Sequence, residues 1–135
     1  MPHIQWDESY SVGVPELDVQ HTRWITLINT LHDVLMGRRN SSEFSVLACL
    51  EAMLEYANYH LRFEEQLLAR AGYPLLEEHK MEHEKFQQQI NTYLSAERDG
   101  NTMLNSEVMD VLMGWLKNHI LQSDMAYKDF FEQQG

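Results

Sequence analysis

His60 and Glu64 stand four residues apart, as do His79 and His83, and each pair lies on an apolar stripe at helical spacing. Met53 and Ala57 lead into the first pair, and Phe86 and Ile90 follow the second. His119 continues the row Val108, Leu112 and Trp115, and His21 precedes Trp24 and Ile28 in the same way. Residues four apart share a helix face, so these spacings turn imidazoles and a carboxylate inward. An unpartnered polar group in an apolar medium costs roughly 2–7 kcal/mol. A metal ion satisfies several such groups together, and imidazole nitrogen with carboxylate oxygen suits iron, zinc or manganese. One such pair in isolation reads as a solvated helix pair, and His21 alone reads as a core or boundary histidine with an ordinary partner. Convergence shifts the balance, because separate segments all contribute from their apolar faces at heights that facing helices can match.

Those segments are delimited by Gly37, the pair Gly72 and Pro74, and Asp99-Gly100. The first, about residues 18–36, repeats apolar residues at Trp24, Leu27, Ile28, Leu31 and Leu35, with Asp18 as its expected N-cap and Gly37 as its stop. The second, about 42–71, carries Leu47, Leu50, Leu54, Ala57, Leu61 and Leu68, and Asn40 to Glu43 has capping-box spacing. Pro74 is expected to start the third, about 74–98, with Leu76, Phe86, Ile90 and Leu94 on its apolar side. The fourth, about 105–120, has Val108, Val111, Leu112, Trp115 and Leu116, and Tyr127, Phe130 and Phe131 suggest a short C-terminal helix over about 124–133. Residues 1–17 show no period, and Trp6, Tyr10, Val12 and Val14 suggest an apolar arm laid across the rest. Nothing reads as a strand, and the connections are short. The expected fold is therefore all-α, an up-down-up-down four-helix bundle forming one domain over 1–135.

A chain of 135 residues is long enough to bury a core without disulfides, and its 21 acidic against 10 basic residues give a formal charge of −11. That sign disfavours nucleic acid and anionic membrane surfaces as partners. No apolar run approaches the roughly 20 residues of a membrane span, and Met1 to Asp7 lack the features of a secretion signal, so a cytoplasmic setting is expected. Cys49, the lone cysteine, cannot form an internal disulfide and reads as a small core residue, while the eight methionines read as gap fillers. His32 follows His21 by eleven residues, which places it roughly 16 Å further along the axis at about 1.5 Å per residue. It is too far to share a metal. His3 belongs to the arm and reads as a surface residue.

The composite of Gln20-His21 after Asp18, His60-x-x-x-Glu64, His79-x-x-x-His83 and Trp115-Leu-Lys-Asn-His119-Ile-Leu-Gln-Ser-Asp124 with Tyr127 beyond resembles the hemerythrins, in particular their short bacterial members. The resemblance spans nearly the whole chain. It implies two iron ions: one held by His79, His83 and His119, the other by His21 and His60, with Glu64, Asp124 and an oxo or hydroxo group bridging them. Asp124 follows His119 by five positions, about 140° off its face on a regular helix, so a backbone bulge is expected around Leu121 to Ser123. On that ligand set, two octahedral ions with about twelve positions have about eleven filled. The open position would lie on the iron with two histidines, where dioxygen would bind reversibly. Many neutral imidazoles against few carboxylates favour the ferrous state over oxidation of a substrate.

Trp24, Leu116 and Ile120 are candidates for an apolar lining over the open position, while Ile28 reads as plain core. Trp24 departs from the family, which usually carries a smaller aliphatic residue there. Oxygen carriage, storage or sensing is the leading expectation, with an oxygen-consuming partner protein left unidentified. A di-iron enzyme on the same site, handling peroxide, nitric oxide or iron, ranks second because no acid beyond the ligands is expected near the irons. An iron-free bundle, structural or zinc-loaded, ranks third.

Overall fold

The computed structural model describes residues 4–37, 45–101 and 103–134. The capping-box residues 40–43 and His3 lie outside them. Among the described residues the chain is all-helical, with α1 at Pro15–Leu35, α2 at Val46–Ala71, α3 at Leu76–Arg98 and α4 at Ser106–Asn118. A π-helical segment, His119–Asp124, then leads without a break into α5, Met125–Gln134.

Local chemistry sets the helix ends. The Ser45 side chain accepts the Ala48 amide at α2, and Asn105 accepts that of Val108 at α4. α2 stops at Gly72, whose φ of 70° lets its own amide and that of Tyr73 turn back onto the last carbonyls. Two expected starts are corrected. α1 begins at Pro15 rather than Asp18, because the proline needs no amide partner in the first turn. Asp18 instead lies within the helix, and its carboxylate accepts Ser11 Oγ at 2.6 Å and the Val12 amide at 2.9 Å. α3 begins at Leu76, with Pro74 in the preceding turn.

Cross-helix contacts fix the order and sense of the bundle. Along α2 and α3, Glu51 meets Arg98, Asn58 meets Gln87 and Glu64 meets His79, so one runs up as the other comes down. His83 and Phe86 meet His119 and Trp115 in the same antiparallel sense, and His21 on α1 reaches Asp124. The N-terminal arm contains a 3-10 turn, Glu8–Tyr10, and buries Ile4, Tyr10 and Val12. It is pinned at one end by Asn29, which exchanges two hydrogen bonds with the Ile4 backbone, and at the other by Asp18.

The apolar interior is divided. A large cluster including Trp24, Leu61, Phe86 and Leu116 fills one end, and a smaller one of Val12, Leu17, Leu68, Tyr73 and Tyr127 fills the other. Every helix crossing the gap between them carries a polar side chain there.

Candidate metal centre

α1 places His21 between Leu17 and Trp24, and α2 places Glu64 between Leu61 and Leu68, with His60 one turn before it. α3 supplies His79 and His83, and the π segment supplies its first and last residues, His119 and Asp124. All seven are buried. An α-helix would turn Asp124 away from His119, whereas the i→i+5 pattern of this segment returns it to the same side. The bulge expected from the five-residue spacing is this π-helix.

The two carboxylates divide their oxygens between two groups of imidazoles. Glu64 Oε2 lies 3.4 Å from His21 Nε2 and 3.2 Å from His60 Nε2, while its Oε1 lies 2.5 Å from His79 Nε2 and 3.2 Å from His83 Nε2. Asp124 repeats the division: Oδ2 is 3.2 Å from His21 Nε2, and Oδ1 is 3.2 Å from both His79 and His119 Nε2. One group of ligand atoms is thus formed by Glu64, His79, His83 and His119, and a second by His21, His60 and Glu64.

Behind the rings stand acceptors that fix which nitrogen faces inward. His60 Nδ1 donates to Gln20 Oε1 at 2.7 Å and His83 Nδ1 to Glu65 Oε2 at 2.8 Å, whereas His119 Nδ1 lies 3.5 Å from Glu82 Oε2 without an aligned hydrogen bond. A proton held on Nδ1 leaves the Nε2 lone pair for a cation. Tyr127 donates its hydroxyl to Glu64 Oε2 at 3.1 Å, and burial followed by the nearby charges of Asp124 and Glu64 pushes the phenol well above its usual range. It therefore stays a donor.

Without a cation the charges must be balanced by protons. Burial opposes charge on His21, His79 and His119, yet Asp124 and Glu64 outweigh it and hold these imidazoles protonated up to about 9, 10 and 9. For His60 burial prevails and its pKa falls. Burial works against both carboxylates too, but the surrounding imidazoles pull them below the usual range. Protons do not complete the site, however. Asp124 is fully buried with neither oxygen engaged in an aligned hydrogen bond, and both nitrogens of His21 are in the same state. Nitrogen and carboxylate donors at ion-pair distance yet misaligned for hydrogen bonding are what shared cations would satisfy, so the residues fit a two-metal group.

Trp24, Leu116 and Ile120 are fully buried in the larger cluster, and the Trp24 ring stands edge-on to His60 with centroids 5.3 Å apart. The expectation that no acid lies nearby beyond the ligands does not hold. Glu65 and Glu82 abut two of the histidines, from the outer side of the rings. Each neighbours a proposed ligand in sequence, Glu64 and His83, but only the packing reveals that Glu82 serves a histidine on another helix.

The hemerythrin HHE cation binding domain matches residues 12–131. A bacteriohemerythrin of Pseudomonas paraeruginosa is 32% identical over 129 residues, spanning 96% of this chain and 82% of that protein. One from Clostridium acetobutylicum is 27% identical, covering 92% of this chain and 98% of its own. A solved wild-type hemerythrin superimposes with a TM-score of 0.84 at 26% identity, over 95% of this chain and 97% of that one.

Proposed function

The chain belongs to the hemerythrin family, and from that premise we propose that it binds dioxygen reversibly at a pair of irons in the bundle core. His79, His83 and His119 would hold one iron and His21 and His60 the other, with Glu64 and Asp124 shared. The observation that carries this is the division of each carboxylate, one oxygen toward each group of imidazoles. When bound, a ferrous pair supplies two electrons that a diatomic ligand can take and return.

The rest is work for the protein. The outer acceptors Gln20 and Glu65 hold His60 and His83 in the tautomer a metal needs. Tyr127 keeps a hydrogen bond on Glu64, which orients a carboxylate that four imidazoles would otherwise compete for. The two-histidine side faces Trp24 and the larger apolar cluster, which keeps water from the position left for oxygen. With three imidazoles on one side and two on the other, the His21 and His60 side would leave its metal the room for a further ligand.

A carrier or store is favoured over an enzyme because the acids near the site stand behind the rings rather than in the apolar region where the gas would sit. The test is anaerobic ferrous loading followed by air. A visible charge-transfer band that appears with oxygen and fades when it is swept out supports the reading. Immediate, irreversible oxidation without such a band overturns it.

A further inference from the structure

The two groups of imidazoles differ in what stands behind them. On the three-histidine side, His83 donates to the Glu65 carboxylate at 2.8 Å, and the Glu82 carboxylate stands 3.5 Å from His119 Nδ1, close enough to act as a charge but not aligned for a hydrogen bond. Glu82 is itself steadied by Ser123 Oγ at 3.0 Å. On the two-histidine side, the acceptor for His60 is the neutral amide of Gln20, and His21 Nδ1 is buried with no hydrogen-bond partner among the described residues. Among the described residues, two anions thus stand behind one group and none behind the other.

A carboxylate that accepts an Nδ1–H draws the ring toward imidazolate and makes its Nε2 a stronger donor, which favours the higher oxidation state of a bound metal; an amide does so less. We propose that Glu65 and Glu82 are positioning residues that make the three-histidine iron the more readily oxidised of the pair. The inference rests on the two-iron reading above. Gln20, by staying neutral, keeps the oxygen-binding iron the weaker electron donor of the two. Glu65 should act more strongly than Glu82, because it accepts a hydrogen bond where Glu82 acts only as a nearby charge, and its side chain is 26% exposed against 46%.

The experiment is a set of near-isosteric changes, Glu65→Gln, Glu82→Gln and the mirror change Gln20→Glu, read by redox titration of the iron-loaded protein. The imidazole N–H resonances of the metal-free protein are recorded in parallel. Glu65→Gln should raise the midpoint potential, Glu82→Gln should raise it less, and Gln20→Glu should lower it, with iron content unchanged. The His83 Nδ1–H signal should move upfield in Glu65→Gln. A change in melting temperature with no movement of the potential, or shifts of one sign for Glu65→Gln and Gln20→Glu, would overturn the proposal. A wild-type protein that takes up no iron pair would instead defeat the two-iron reading, and the resonance of His83 would then decide alone whether Glu65 positions it.

Discussion

Glu64 is the side chain on which both halves of the site depend, since its two oxygens face different imidazole groups. His60 faces only one of them. Glu64→Ala is therefore expected to remove both irons, whereas His60→Ala should leave close to one per chain, as read by metal analysis of the purified variants; equal losses would count against the division. Trp24 supplies a different contrast. Its indole is fully buried against His60 and Phe86, and its N–H has no hydrogen-bond partner among the described residues, so it sits there as bulk rather than as a donor. Trp24→Leu should speed oxygen association in stopped-flow mixing while lowering stability by about 2 kcal/mol, from the cavity it opens. An unchanged association rate would show that Trp24 does not lie on the path of the gas.

At the scale of elements, the π segment is the feature on which the site turns. It holds one residue more than an α-helix needs to keep His119 and Asp124 on one side. Deleting the exposed Gln122 should thus relax the segment to an α-helix, with the aspartate and Tyr127 still facing the core and metal retained. Inserting an alanine at the same place should turn both away by about 100° and abolish metal binding while the bundle stays helical by circular dichroism. The arm is fixed separately. Asp18→Ala removes two hydrogen bonds to a carboxylate and should cost about 2 kcal/mol in denaturant unfolding, with little effect on metal content.

Helical periodicity made the bundle and the inward histidines legible, because apolar and ligand residues share one stripe. Resemblance added Asp124, whose spacing hides it from that periodicity until a bulge is allowed. Asp18 has the chemistry of a cap and so points to a later start for α1 than Pro15, yet in the fold its carboxylate binds the arm. Glu65 and Glu82 were not legible, since an exposed acid on a charged helix face looks the same whether or not a histidine from elsewhere packs against it.

For the molecule as a whole, protons and metal compete for one set of donors. In the metal-free protein His21, His79 and His119 have folded pKa values of about 9, 10 and 9, above the ordinary 6.5. Raised values mean that their stabilising contribution is complete below about pH 6.5 and is lost as pH climbs through 9 to 10. Glu64 and Asp124 are depressed, so their contribution holds above their ordinary values of 4.5 and 3.8 and is lost as pH falls below them. The metal-free melting temperature should accordingly be highest near pH 5 to 6. The loaded protein should behave oppositely on the alkaline side, because each of those three imidazoles must give up a proton to bind metal. Calorimetric titration with a divalent ion near pH 7, in buffers of different ionisation enthalpy, is expected to report roughly three protons released. None released would mean that the histidines are not the ligands.

On the proposed reading, five imidazoles and two carboxylates arranged in two groups would hold two ions that bind together, since Glu64 and Asp124 face both groups. Native mass spectrometry of the protein during anaerobic titration with ferrous iron measures this directly. The expected result is a shift from the metal-free chain to a chain carrying two irons, with the one-iron species sparse throughout. Saturation at a single iron per chain, or no iron retained, would contradict it.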